Sequence, residues 1–251
     1  MPKPKKSLAR ENRRGKRLRA ANNNRAIDQY ERMNPPARPH TGTKVLIAPL
    51  NDAQREYDAA IRTSQVVFGI GPAGTGKTWF AAMRAAEALD KGEIEKIIIT
   101  RPAVEAGESL GFLPGELEEK YEPYIRPVRD ALEEYFGKGR LEYLLKNETI
   151  EARPLAYIRG STIKNAWLLA DEMQNATNAQ FKMLLSRIGE NAKFIVNGDP
   201  RQSDLPRDTS GLMNAQRKLA HVEGITSVEF FNEDIVRSGI CQAIVEALEG
   251  A

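Results

Sequence analysis

A chain of 251 residues, 41% of them hydrophobic, has room for one large domain and an appendage and can bury an apolar core. Its longest apolar runs fall far short of the roughly 20 residues needed to span a bilayer, and no apolar stretch follows the charged N-terminus as in a secretory signal. We therefore expect no membrane passage and a cytoplasmic location. The single cysteine, Cys241, suits that location because no internal disulfide can form.

The net charge of +3 conceals a difference between two parts of the chain. Residues 1–44 carry 13 Lys and Arg against three acidic residues, a net charge of +10, whereas the remainder carries −7. The basic part lacks apolar periodicity and ends in a proline-rich stretch, so we expect a flexible basic arm over residues 1–43 and a folded domain over residues 44–251. Such an arm can bind nucleic acid by releasing counterions. A solubilising tail, or an arm docked on an acidic domain, is the alternative interpretation.

Beyond the arm, short apolar runs alternate with longer helical ones, which predicts an α/β domain with a parallel sheet flanked by helices. Strands are predicted at Gln65–Ile70, Lys96–Thr100, Ala152–Ile158, Ala166–Ala170, Lys193–Asn197 and Thr226–Phe231. Helices are predicted at Asp52–Arg62, Lys77–Lys91, Tyr121–Phe136, Asn178–Ile188, Gly211–Ala220 and Ile240–Leu248. The pattern leaves room for one nucleotide-binding lobe.

The segment GPAGTGKT follows the apolar run VVFGI and precedes an alanine-rich helix, which is the strand, loop and helix order of a P-loop. Its glycines let backbone N–H groups turn toward phosphates at a helix N-terminus. Lys77 is expected to bridge the outer phosphates and Thr78 to bind Mg²⁺. The predicted nucleotide-binding residues are Gly71, Pro72, Ala73, Gly74, Thr75, Gly76, Lys77, Thr78 and Trp79.

An acidic pair ends the apolar run AWLLA, about where a P-loop protein needs its second group of site residues. Asp171 is expected to hold Mg²⁺ through water, and Glu172 to polarise the attacking water. This pair favours hydrolysis over phosphate transfer to a small molecule. Carboxylates also cap helices that follow strands, but the P-loop already predicts carboxylates at this edge.

Two further segments offer polar groups to the same site. The strand in KFIVNGDPRQSD delivers polar residues at its carboxyl end, where parallel sheets bind ligands, and Gln202 is our candidate sensor of the γ-phosphate. Upstream, the amide of Gln54 in LNDAQ can both donate to and accept from adenine, which would select ATP.

Together, LNDAQ, GPAGTGKT, ADEMQ and NGDPRQSD resemble the Q motif, Walker A, Walker B and motif III of superfamily 1 helicases. More closely, RPAVEAGESLGFLPGELEEKYEPYIRP, YIRGSTIKNAWLLADEMQNAT and GENAKFIVNGDPRQSDLP resemble the PhoH family of ATPases, over roughly residue 44 to the C-terminus. This resemblance implies a RecA-like P-loop ATPase with ATP and Mg²⁺ as cofactors. It also implies phosphate-starvation regulation by name, and RNA metabolism.

The resemblance further implies an assembly. Superfamily 1 helicases place ATP between two lobes, and arginines of the second lobe stabilise the transition state. A single lobe therefore implies a homo-oligomer, with a hexameric ring favoured, in which a neighbouring subunit completes the site. Arg237 is our candidate for this arginine, with Arg207 and Arg201 behind it.

Three functions remain open from the sequence. The first is an ATPase or helicase that acts on single-stranded nucleic acid, RNA being favoured. The second is an RNA-associated ATPase switch or assembly factor without unwinding activity. The third is a small-molecule phosphotransferase, which the position of Glu172 and the lack of an arginine-rich lid segment disfavour.

Overall fold

The computed structural model describes residues 45–102, 117–206 and 209–236, and in the helix that begins at residue 117 it describes side chains from residue 125 onward. Its helices are α1 (Asp52–Thr63), α2 (Lys77–Asp90), α3 (Leu117–Phe136), α4 (Lys138–Lys146), α5 (Asn178–Leu185) and α6 (Leu212–Leu219). Its strands are β1 (Val66–Ile70), β2 (Lys96–Thr100), β3 (Ile150–Ala152), β4 (Ala166–Ala170), β5 (Lys193–Gly198) and β6 (Ile225–Glu229).

The described strands form one sheet in the order β3-β2-β4-β5-β1-β6. Every neighbouring pair is parallel; for example, Phe68 of β1 lies opposite Val196 of β5 and Ser227 of β6. All carboxyl ends therefore meet at one edge of the sheet. The predicted α/β fold with a parallel sheet is confirmed.

Buried side chains lie on both faces of this sheet, as expected when helices cover both sides of parallel strands. On one face, alternate residues of the central strands pack against α1, α2, α3 and α4. On the other face, the intervening residues pack against α5, α6 and the turns that follow β3 and β4. The fully buried β1 explains why VVFGI reads as a continuous apolar run rather than an alternating one.

Polar side chains begin two of the helices. The side chain of Asn51 accepts a hydrogen bond from the Gln54 backbone N–H at 2.8 Å and starts α1. At α5, Thr177 and Gln180 bond reciprocally to each other's backbone in a capping box. The α5 cap follows the short turn Met173–Asn175, which itself follows the acidic pair at the end of β4, so it helps to fix the backbone near the site.

The structure corrects the predicted strand Ala152–Ile158. Pairing ends at Ala152, and a short 3₁₀ turn over Leu155–Ile158 follows Pro154. Proline has no N–H to continue a ladder of hydrogen bonds, which explains the break. Helix α4 was not predicted, α3 begins four residues before the predicted start, and α5 ends at Leu185 rather than Ile188.

Some predictions fall outside the described residues. These are the basic arm, its boundary with the domain at residues 43 and 44, the helix Ile240–Leu248, and the arginines Arg207 and Arg237. Within the described ranges, no helix is both long and apolar enough to cross a membrane.

Candidate nucleotide-binding site

The P-loop connects the end of β1 to the start of α2 at the carboxyl edge of the sheet. Gly71 has φ +140°, and a Cβ atom there would lie 2.2 Å from the carbonyl oxygen of Phe230, so no larger residue fits. Gly76, at φ +86°, takes the left-handed conformation from which α2 begins. The loop therefore needs glycine at both ends for different reasons, one steric and one conformational.

Lys77 lies in the first turn of α2 and is only 8% exposed. Its ammonium donates to the carbonyl oxygens of Gly71 at 2.8 Å and Pro72 at 2.6 Å, and to the Thr75 hydroxyl at 3.0 Å. Burial lowers the pKa of Lys77 to about 8, although the charges of Asp171, Asp199 and Glu172 oppose this shift. The Lys77 ammonium is thus bonded to its own loop. When a phosphate binds, the ammonium would donate to phosphate oxygens instead of to these acceptors.

Thr78 and Asp171 face each other across the site. The Thr78 hydroxyl lies 3.2 and 3.0 Å from the two carboxylate oxygens of Asp171. Burial, reinforced by the charge of Glu172, raises the pKa of Asp171 to about 6 despite the hydrogen bond from Thr78. A hydroxyl and a carboxylate are hard oxygen ligands of the kind that Mg²⁺ takes beside phosphate oxygens, so this pair fits the predicted metal site. Among the described residues, no group of three His, Cys, Asp or Glu is arranged to hold a metal alone.

Glu172 follows Asp171 in a left-handed backbone conformation, with φ +53° and ψ +36°. Such values are uncommon for a residue with a side chain and cluster at functional sites. One carboxylate oxygen accepts a hydrogen bond from the Gln174 amide at 2.6 Å, and the other lies 3.6 Å from the Arg101 guanidinium. The carboxylate is therefore oriented by two partners.

The loop after β5 supplies the remaining polar groups. Asp199 is buried and accepts a bond from the Arg201 backbone, starting a 3₁₀ turn that ends at the exposed Gln202. Arg201 reaches toward the Asn232 side chain at 3.5 Å. Asn197 instead points into the protein, where it accepts a bond from the Tyr57 hydroxyl at 2.6 Å. Of the polar groups in KFIVNGDPRQSD, Asp199 and Gln202 are those that border the cavity.

A cavity of about 430 Å³ joins these groups. The predicted residues that line it are Gly71, Ala73, Gly74, Gly76, Lys77, Thr78, Trp79, Asp171, Glu172 and Gln202. Pro72 and Thr75 are buried on the inner side of the loop and do not line the cavity. The structure thus brings most of the predicted site residues around one space.

Gln54 lies behind the P-loop rather than in this cavity. It is 2% exposed, its amide nitrogen donates to the Thr75 carbonyl oxygen at 3.0 Å, and its amide oxygen accepts from the Leu50 backbone at 2.8 Å. Both polar ends of the side chain are therefore used within the protein. Adenine recognition by Gln54 stays a prediction. It requires the Gln54 side chain to give up its bonds to Thr75 and Leu50 and to bond to adenine instead.

Sequence reasoning missed one wall of the cavity, which α3 provides. Its lining residues are Pro127, Asp130, Ala131 and Glu134. The Trp79 ring nitrogen donates to the Glu134 carboxylate at 2.9 Å, which joins this wall to the P-loop helix. The spacing of three, four and seven residues places all four on one helix face, but an exposed helix face carries the same pattern.

The fold and this site define the chain as a single-lobe, RecA-like P-loop NTPase-type domain. Residues 46–249 match the family model for the PhoH-like protein, so the chain belongs to the PhoH-like family. It is 51% identical over 197 residues to a PhoH-like protein of Bacillus subtilis (strain 168), 50% identical over 197 residues to one of Synechocystis sp., and 48% identical over 200 residues to Protein PhoH of Escherichia coli (strain K12).

These alignments span unequal shares of the two chains. Each covers 78% of this chain but only 62%, 60% and 56% of the three relatives, respectively. The chain therefore spans about three fifths of the length of these relatives.

Proposed function

We propose that the chain is an ATP hydrolase whose activity depends on single-stranded nucleic acid, with RNA favoured. The observation that carries this proposal is the cavity in which Lys77, Thr78, Asp171 and Glu172 converge. Lys77 binds the outer phosphates, and Glu172, which is negatively charged and held by two partners, takes a proton from the attacking water. Gln202, exposed at the cavity, contacts the γ-phosphate and reports its presence.

Mg²⁺ is the proposed metal of this site. When bound, it neutralises the developing charge on the phosphates. Thr78 and Asp171 would hold it, and the hydrogen bond between them keeps the Thr78 hydroxyl beside the Asp171 carboxylate. A carboxylate must be deprotonated to bind a cation, so the protonation of Asp171 opposes metal binding.

We expect the Mg²⁺ concentration that gives half-maximal ATP hydrolysis to rise as the pH falls through about 6. The folded protein holds the pKa of Asp171 at about 6, above its ordinary value, so protons compete with Mg²⁺ below that pH. Mg²⁺ titrations of phosphate release at several pH values check this.

Asp171→Asn is the matched control because its amide does not titrate. The phosphates of ATP also take up a proton near pH 6, which affects Mg²⁺ binding in both proteins alike. The half-maximal Mg²⁺ concentration of the unaltered protein is therefore divided by that of Asp171→Asn, so that the effect of ATP protonation cancels. A ratio that stays constant with pH would exclude Asp171 as the titrating ligand.

A neighbouring copy of the chain is proposed to complete the site. Among the described residues that line the cavity, Lys77 is the one cation, and the lining carboxylates are those of Asp130, Glu134, Asp171, Glu172 and Asp199. An arginine supplied by a second subunit would stabilise the transition state, and such residues are worth about 10³–10⁵ in rate in other nucleotide hydrolases. Arg237 is the candidate, and a closed ring, hexameric by resemblance to the family, is the proposed assembly.

Nucleic acid is the proposed partner because of the basic segment at residues 1–43. It joins a domain of opposite net charge, and clustered Lys and Arg bind phosphate backbones by releasing counterions. Arg159 and Lys164, both exposed in the segment before β4, are further candidates for backbone contacts.

Phosphate release from ATP, measured with and without a single-stranded RNA, tests the proposed function. We expect RNA to raise a Glu172-dependent rate several-fold, with Glu172→Gln as the blank and single-stranded DNA and GTP as comparisons. A chain lacking residues 1–43 should need more RNA for the same stimulation, because its phosphate contacts are fewer. A Glu172-dependent rate that ignores RNA would instead favour the ATPase switch.

A further inference from the structure

The short turn Met173–Asn175 follows the acidic pair and carries a glutamine, Gln174, that is 1% exposed. We propose that Gln174 is a positioning residue: it ties the Glu172 carboxylate to the loop after β5, so that Glu172 is aligned for proton transfer only when that loop is in place. This inference rests on the proposed function, because it assigns Glu172 the role of general base.

One amide makes both connections. The Gln174 amide nitrogen lies 2.6 Å from a carboxylate oxygen of Glu172 and 3.4 Å from the Gln202 carbonyl oxygen. Its amide oxygen accepts a hydrogen bond from the Asp199 backbone at 3.1 Å. A single planar group thus contacts the candidate base and both ends of the 3₁₀ turn that presents Gln202.

The orientation of this amide follows from its partners. The backbone N–H of Asp199 can only donate, so the atom facing it must be the amide oxygen of Gln174. The amide nitrogen then necessarily faces the Glu172 carboxylate, which can only accept when ionised. A residue that lacks either a donor or an acceptor cannot make both bonds.

Close packing keeps Gln174 in this position. A Cβ atom added at Gly198 would lie 2.9 Å from both the backbone nitrogen and the amide oxygen of Gln174, so β5 runs directly against it. The Ser203 hydroxyl donates to the Gln174 backbone carbonyl oxygen at 3.1 Å. The turn and the loop therefore pack directly against each other.

Glu172 needs such a partner because its backbone is in the left-handed region. Strained residues persist where surrounding contacts fix them, and they cluster at sites where orientation matters. The bond from Gln174, at 2.6 Å, is shorter than the 3.6 Å approach of the Arg101 guanidinium to the same carboxylate. Gln174 would thus set the direction of the carboxylate.

The adjacent Asn175 offers a matched control. Its amide also joins the turn to the loop: its oxygen accepts from the Asp204 backbone at 2.8 Å, and its nitrogen donates to the Asp204 carboxylate at 3.1 Å. It is 7% exposed, and its backbone N–H donates to the Glu172 backbone carbonyl oxygen at 3.1 Å, but its side-chain hydrogen bonds go to Asp204 rather than to the Glu172 carboxylate. The same change from amide to carboxylate at Asn175 therefore loosens the same interface without removing a donor from the Glu172 carboxylate.

The test compares Gln174→Glu, Gln174→Met and Asn175→Asp with the unaltered full chain, in kcat and KM for ATP and in melting temperature. In Gln174→Glu, a carboxylate replaces the donor and repels Glu172, so we expect kcat to fall at least about tenfold with KM changed less than about threefold. A fall in kcat at nearly constant KM is the signature of a misaligned base rather than of weaker ATP binding.

Gln174→Met removes the donor without adding charge and should lower kcat less, again with KM nearly unchanged. Asn175→Asp should lower the melting temperature and keep kcat close to that of the unaltered chain. A kcat that falls no further in the Gln174 variants than in Asn175→Asp would overturn the inference, and so would loss of folding in both Gln174 variants, because each result assigns Gln174 a purely structural role.

The unaltered chain and Glu172→Gln separate this inference from the proposed function. Hydrolysis that depends on Glu172 but not on Gln174 overturns the positioning role alone. Absence of Glu172-dependent hydrolysis from the unaltered chain, with or without RNA, overturns the proposed function and the positioning role together.

Discussion

Glu172→Gln is expected to lower ATP hydrolysis by about two to four orders of magnitude while ATP binding persists. Positioned general bases contribute about 10²–10⁴-fold to rates, and a glutamine of the same shape cannot take a proton from water. The Lys77, Thr78 and Asp171 side chains that are proposed to hold MgATP remain in the variant. Phosphate release measures the loss, and binding of a fluorescent ATP analogue measures what is retained.

The substitution also removes a charge, and this has a second expected effect. The charge of Glu172 helps to raise the pKa of Asp171, so its loss should lower that pKa. Gln202→Ala serves as a comparison, because it removes the proposed γ-phosphate contact and leaves both carboxylates in place. A Glu172→Gln protein that hydrolyses ATP at an undiminished rate would remove Glu172 from the chemistry.

Lys77→Ala is expected to abolish the thermal stabilisation that MgATP gives the protein. A ligand present at 100 times its Kd stabilises a folded protein by about 2.7 kcal/mol, which corresponds to a rise of about 5–10 °C in Tm for a domain of this size. Lys77 is the cation nearest the phosphates, so its loss should leave little of this rise. Thermal melts with and without MgATP check the prediction.

Lys193→Ala is a matched control for that substitution. Lys193 is another partly buried lysine whose pKa burial lowers to about 8, and it contacts the Ile61 carbonyl oxygen and lies 4.8 Å from the Trp167 ring centre. It begins β5 at the edge of the sheet away from the P-loop. Both variants should melt below the unaltered protein, but Lys193→Ala should keep the rise with MgATP. If the two variants lost the MgATP-induced rise in melting temperature to the same extent, Lys77→Ala would act through folding alone.

The parts of the site that the sequence predicted are those in which local chemistry dictates the residue. GPAGTGKT was identifiable because a tight phosphate-binding loop needs glycine where Gly71 meets Phe230 and where Gly76 turns left-handed. The acidic pair was identifiable because it ends a buried strand. In both cases the residue type, its spacing and the adjoining element all point to the same interpretation.

The parts that the sequence did not predict depend on packing between distant elements. Asp130 and Glu134 line the cavity because α3 packs beside α2, and an exposed helix would carry the same residues. Gln54 was expected at the base of the nucleotide, but tertiary contacts place its amide against Thr75. Pro154 is a local signal that the prediction overlooked: it ends β3 early, and a 3₁₀ turn follows.

The P-loop is hydrogen-bonded to the last residues of the described chain. The backbone N–H of Val236 donates to the Gly74 carbonyl oxygen at 2.9 Å, and the Asn51 side chain donates to the Asp234 carbonyl oxygen at 3.1 Å. Any displacement of Gly74 by an incoming phosphate would therefore pull on the backbone that leads into the C-terminal residues.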